Sequence, residues 1–274
     1  EFCELFVNNT YVGLYLMTEK INVNKNRVNI QEMTEESSPE DFLTGGYLLE
    51  CDRFFDKVSF KTAVRELPIN IKSPDETLIT DAQVIYISDY FKKIEQYLYM
   101  KEEPDPAYRE LIDMGSFADV WMVLELTYCA DARLPGSVWY HKDKDGPLFA
   151  GPVWDFDLTT FKNSTSYLLY DYEMTDYTMS NRSLWYSRLF LDPEFKRVVK
   201  ERWLIYKPSF DSMTDFIDSE AAAIEKSVAA NDVTWPNAVP GNPDSNMSWK
   251  EAVETLKANY LIRLELLDKL IMSW

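Results

Sequence analysis

Two carboxylates, Asp155 and Asp157, close the stretch Gly151-Pro152-Val153-Trp154-Asp155-Phe156-Asp157. On an extended chain, residues i and i+2 project to one side about 6.5 to 7 Å apart. Both acids would then enter one place, as a metal clamp or an acid/base pair. The plainer reading is a strand end whose aspartates cap a turn. Trp154 and Phe156 alternate with the acids, so one face should pack into a core while the other carries both charges. Charges held beside a core need a counter-ion. Lys72, at the end of a predicted strand and before a predicted helix, is a candidate to contact phosphates, or else a solvated edge residue. Glu50, ending a short apolar strand, and Glu125, inside a predicted helix where it could equally face solvent, are candidates for the acid that orients a lysine.

Other chemistries lack material. His141 is the single histidine, which leaves nothing for a Ser-His-Asp triad or a multi-histidine metal site. Cys3, Cys51 and Cys129 are odd in number and far apart, so neither a disulfide framework nor a zinc site is indicated. With 46 acids against 28 bases the net charge is -18, which repels phosphate backbones and anionic lipid and argues against nucleic-acid binding. A nucleotide would have to be held through a metal. No run approaches 18 apolar residues, so no membrane span is predicted. The sequence opens directly on a strand-like run, which suggests a piece of a longer chain.

The elements that must position these groups follow from periodicity. Phe2 to Val7 and Tyr11 to Met17 flank Asn8-Asn9, a hairpin signal. Strands are predicted at Tyr47 to Glu50, Val58 to Thr62 and Ile69 to Lys72, then at Val138 to His141 and Leu148 to Trp154, the last two joined by a turn with Gly146 in place. An EF-hand reading of Asp143 and Asp145 fails on the position of that glycine. Thr80 and Gln83 form a capping box for a helix carrying Val84, Ile87, Phe91, Ile94 and Leu98. A second helix is predicted from about Ser116, with Asp119 three residues on, and further helices over about 192–206 and 248–272. The spacing predicts a sheet-rich first part, 1–103 with one long helix, and a helical second part, 104–274, with the paired acids between sheet and late helices.

These segments resemble a known family. Tyr11 to Ile21, Gly45-Gly46-Tyr47-Leu48-Leu49-Glu50, Ile71-Lys72-Ser73-Pro74-Asp75 and, most specifically, Trp154 to Asp157 look like the spore-coat protein H (CotH) kinase family, in the version found in surface or secreted proteins of gut Bacteroidetes. The resemblance covers essentially the whole chain. It implies an α+β, atypical protein-kinase-like fold of two lobes that uses ATP with Mg2+ or Mn2+ and phosphorylates Ser or Thr of a protein substrate, at an extracellular or cell-surface location.

By matching position, Asp155 and Asp157 resemble the metal-binding acids and Asp131 the catalytic-loop acid. Glu19, ending the first hairpin, would lie near the link between lobes and, with Lys72 and Glu50, near the nucleotide. Family members commonly carry asparagine where Cys129 stands, and a thiol is a poor magnesium ligand. The glycine-bearing strand pair that precedes the first hairpin in the family is not in this sequence, which predicts weak cradling of phosphate. Two rival readings stay open. One is a non-catalytic module that keeps the scaffold and binds a surface glycan or protein. The other is a hydrolase, since carboxylates about 5 to 10 Å apart suit glycosidic bonds.

Overall fold

The computed structural model describes residues 1–129, 136–156, 160, 184–236 and 247–274. Asn8 and Asn9 both take left-handed φ, 51° and 61°, as a two-residue hairpin turn demands, and join β1 (Phe2–Val7) to β2 (Thr10–Leu16) in antiparallel register. The hairpin is a separate two-stranded sheet. It docks on the late helix Met213–Thr234: Leu14 N–H donates to Asn231 Oδ1 at 3.0 Å, and the Trp235 indole donates to the Val12 carbonyl at 2.7 Å.

The main sheet has five strands, β3 (Tyr47–Cys51), β4 (Ser59–Lys61), β5 (Pro68–Ser73), β6 (Val138–Lys142) and β7 (Leu148–Ala150), in the order β4-β5-β3-β6-β7 with antiparallel neighbours. Helices α1 (Asp81–Tyr99) and α2 (Met114–Leu126) intervene before β6 returns to pair with β3. The alternation of each strand then sorts its side chains by face. Leu49, Cys51, Ile69, Ile71, Val138 and Tyr140 enter the main core with Ile87, Phe91, Ile94 and Leu98 of α1. Aromatic contacts knit that core, with the Phe117 and Trp185 rings stacked 6.1 Å apart. On the opposite face Leu48 and Trp139 join Ile21 and Val28 in a smaller cluster, against which Trp154 packs.

After a short α3 (Tyr186–Leu189), three long helices complete the α+β fold: α4 (Pro193–Asp211), α5 (Met213–Thr234) and α6 (Trp249–Met272). The capping boxes at Thr80 and Ser248 form as the sequence predicts. Among the described residues no helix is long and apolar enough to cross a membrane.

Several expectations need correction. The N-cap of α2 is Asp113, whose carboxylate accepts from Ser116 N–H at 2.7 Å; Asp119 turns outward and pairs with Arg202 of α4. Helix α4 runs on to Asp211 through Pro208, its last turn packed by the Trp203 and Phe210 rings 5.3 Å apart. In the β6–β7 turn the left-handed residue is Asp145, φ 55°, rather than Gly146. Strand β7 ends at Ala150 instead of reaching Trp154. The next peptide, Gly151-Pro152, is cis, and proline has no N–H to continue a ladder.

Candidate functional site

Glu50 and Lys72 lie on the face of the sheet away from the main core, and they are ion-paired, with Lys72 Nζ 2.9 Å from Glu50 Oε2. Lys72 is no edge residue, because β5 is flanked by β4 on one side and β3 on the other. Its ammonium also bonds Asp56 and sits 6.0 Å from the centre of the Trp139 ring. Burial alone would lower the Lys72 pKa, but hydrogen bonds to Asp56 and Glu50 outweigh it and raise the value. The Glu50 pKa is also raised, first by burial and then by the charges of Asp52 and Asp56, against the pull of Lys72. The lysine is thus fully charged, while its half-buried partner is the less well solvated of the two.

Register explains how the site extends along this face. Glu50 stands opposite Trp139 and Cys51 opposite Val138, where the pairing ends, and Asp52 and Ser137 are the next residues of the two chains. Ser137 N–H donates to Asp52 Oδ2 at 3.1 Å, and Ser137 Oγ donates to Asp155 Oδ2 at 3.0 Å. Both Ser137, φ 52°, and Asp155, φ 65°, occupy the left-handed region, which costs a non-glycine residue about 1 to 2 kcal/mol. Asp155 is exposed. With a left-handed residue at Asp155, the segment is not the extended strand that would set two acids side by side by simple alternation. Asp157 lies outside the described residues, as does Asp131.

The remaining candidates separate from this cluster. Glu19 is exposed in the segment after β2 and makes no ion pair with Lys72 or with any other described residue. Glu125 does not face solvent. It is wholly buried and paired with Arg263 of α6 at 2.8 Å, an arginine rather than a lysine. His141 packs on Phe149, ring centres 5.2 Å apart, with Nδ1 3.1 Å from the Gly151 carbonyl, and burial lowers its pKa. It holds the start of the 151–156 segment to β6. Cys129 is buried just beyond the end of α2.

Asp52, Asp56 and Ser137 were not singled out from sequence. Alternation carries the signal for Asp52, two residues past Glu50 and therefore on its face. Asp56 and Ser137 lie on turns whose direction no period sets.

The donor set fits a magnesium-like ion in chemistry. Asp155 offers carboxylate oxygen, and Mg2+ is commonly held by one or two carboxylates with the rest of its shell from phosphates and water. Among the described residues no three of His, Cys, Asp or Glu are grouped to hold a metal by themselves. The buried Trp139 indole N–H, on the same face as Lys72, has no hydrogen-bond partner among the described residues, leaving one donor unspent.

The sequence matches the family described as CotH kinase protein over residues 1–267. No curated protein and no solved structure matches it.

Proposed function

The chain belongs to the CotH kinase family, and from that premise we propose that it binds ATP with Mg2+ or Mn2+ and transfers the γ-phosphoryl group to a Ser or Thr hydroxyl of a protein. Phosphoryl transfer needs a positive group beside the phosphates, an acid for the metal and a carboxylate near the attacking hydroxyl. The observation that carries this reading is the Lys72–Glu50 ion pair on an interior strand pair, on the sheet face whose next outward residues lead through Asp52 and Ser137 to Asp155.

Roles follow from chemistry. Lys72 binds phosphate oxygen, exchanging its contact with the half-exposed Asp56 for the nucleotide while the better buried Glu50 keeps its ammonium in place. Asp155, with Asp157, would hold the divalent ion, which would supply positive charge to offset that of the phosphoryl group. Asp131 accepts the proton of the acceptor hydroxyl. As that oxygen bonds to the γ-phosphorus, the bond to the β–γ bridging oxygen breaks and ADP leaves.

Calorimetric titration with Mn2+–ATP tests the nucleotide site. Lys72→Met should weaken binding about tenfold or more, the range set by losing a charge-assisted hydrogen bond. Asp131→Asn should leave binding intact and remove transfer to a protein acceptor. If ATP binds equally to wild type and to both Lys72→Met and Asp155→Asn, this face is not the nucleotide site.

A further inference from the structure

A carboxylate that holds a metal, as proposed for Asp155, must be held in one orientation to do so. Asp155 stands beyond the end of β7, past the cis Gly151-Pro152 peptide, and no strand pairing reaches it. A metal that takes only one or two protein ligands gains little from an acid that must first be ordered, so the groups that orient this carboxylate bear on metal affinity.

Ser137 supplies the order. Its backbone N–H is spent on Asp52 Oδ2 at 3.1 Å, a main-chain to side-chain bond just past the last β3–β6 pair, Cys51 with Val138, which ties Ser137 to the end of β3. Its side chain gives its single hydroxyl proton to Asp155 Oδ2 at 3.0 Å. The two residues that meet there are both non-glycine residues in left-handed backbone, φ 52° and 65°. Serine is a poor choice for such a position on conformational grounds alone, since glycine would adopt it without strain. The sheet anchor also needs no side chain, because the bond to Asp52 uses the main chain. The hydroxyl is the one feature of Ser137 that glycine would not provide, and its partner is Asp155.

We infer that Ser137, anchored by Asp52, is a positioning residue for the metal-holding carboxylate of Asp155, fixing the plane and the accepting oxygen of that group before the divalent ion arrives. This rests on Asp155 being a metal ligand. Groups that orient a ligand in this way typically alter metal affinity by 10- to 100-fold when removed.

The test is a thermal-shift titration with Mn2+ alone, which needs no acceptor and no turnover. Ser137→Gly keeps the backbone bond to Asp52 and relieves the left-handed strain, so its metal-free melting temperature should stay within about 2 °C of wild type or rise. Its Mn2+ concentration for half-maximal shift should increase about tenfold. Ser137→Ala, which lacks only Oγ, should show the same displacement. Asp155→Asn should abolish the shift, and adding Ser137→Gly to it should change nothing further. A half-maximal concentration unchanged in both Ser137 variants, with Asp155→Asn still silencing the response, would overturn the positioning role and leave the metal site standing. A Mn2+ shift that survives Asp155→Asn would overturn the site itself.

Discussion

Arg263 and Glu125 meet with neither side chain exposed, Nη2 to Oε2 at 2.8 Å, although 138 residues separate them in sequence. Arg263 Nε also donates to the Glu125 carbonyl at 2.8 Å, and the guanidinium lies 5.1 Å from the centre of the Tyr128 ring. An arginine from α6 therefore caps the final turn of α2, whose last carbonyls have no partner within the helix. The chain then passes Cys129 and enters residues 130–135, where Asp131 lies.

Removing one member of a buried pair strands the other, which typically costs about 3 to 5 kcal/mol. Arg263→Leu and Glu125→Gln should each lower stability by about that much in urea denaturation. The double variant should lose well under the sum, because no charge is left stranded. Additive losses would show that the two side chains do not act as a unit.

A second prediction concerns close backbone approach. A Cβ at Gly45 would stand 2.1 Å from Lys144 N and 2.2 Å from Asp143 C, both main-chain atoms of the β6–β7 turn. The same junction is tied by Thr44 Oγ1 donating to Asp145 Oδ1 at 2.8 Å and by Lys142 bonding the Thr44 carbonyl. Gly45→Ala must push two backbones apart, and a loss of about 3 kcal/mol, the upper end of ordinary overpacking, is expected. Gly146→Ala in the turn itself should be neutral or slightly stabilising, since the nearest atom to its added Cβ is 3.6 Å away. Denaturation midpoints of the two variants check the contrast.

Local signals carried most of the fold. The three-four spacing of Ile87, Phe91, Ile94 and Leu98, the capping boxes at Thr80 and Ser248 and the Asn8-Asn9 turn all declare themselves within a few residues, and each forms as read. The strands and their faces were legible for the same reason. The order of strands was not, because β6 reaches β3 only after two helices, and no local pattern states that pairing. That is why Lys72 reads as an edge residue from sequence but sits on an interior strand.

The site was legible in its residue types more than in its geometry. Lys72 and Glu50 are separate candidates in the sequence, and β-pairing brings them to 2.9 Å. Period-two alternation suggested that Asp155 would share an extended strand with its neighbours, but a left-handed φ at Asp155 breaks the period. Glu125 looked indifferent to burial until its partner, Arg263, arrived from the far end of the chain. Long-range partners of single charged residues leave no trace in local spacing.

Asp192 gives a prediction on the acid side. It is the N-cap of α4, accepting from Glu194 N–H at 2.9 Å, and it takes both a two-pronged contact from Arg109, at 2.7 and 2.9 Å, and the Tyr108 hydroxyl at 2.5 Å. Burial would raise its pKa, but the bonds from Arg109 and Tyr108 outweigh that and hold it below the ordinary 3.8. A carboxyl lowered on folding stabilises the protein above its unfolded pKa and loses that contribution as pH falls through the folded value. Asp192→Asn should cost about 2 to 4 kcal/mol near neutrality. The gap to wild type should narrow below the unfolded value of 3.8. Urea denaturation of both proteins across the acid range measures it, and a gap independent of pH would place the loss in packing rather than charge.

On the alkaline side the informative group is Lys142, buried on β6 with its Nζ 4.9 Å from the Tyr90 ring centre and 5.7 Å from that of Tyr86. Burial lowers its pKa from 10.5 to about 8, although the nearby Asp145 and Asp143 pull the other way. Below about 8 the lysine is charged in both states, and the folded protein bears the full cost of burying the ammonium. Between about 8 and 10.5 the unfolded chain holds more protons than the folded one, so this group's contribution to stability rises with pH. Other groups act in the opposite sense there, notably Cys51, whose thiol burial raises well above 9 and keeps protonated only in the fold. The comparison that isolates Lys142 is therefore wild type against Lys142→Met at each pH. The stability of wild type relative to the variant should climb through this window, by no more than on the order of 3 kcal/mol. A constant difference would show that the ammonium is as well solvated in the fold, through the Thr44 and Asp143 carbonyls, as it is in water.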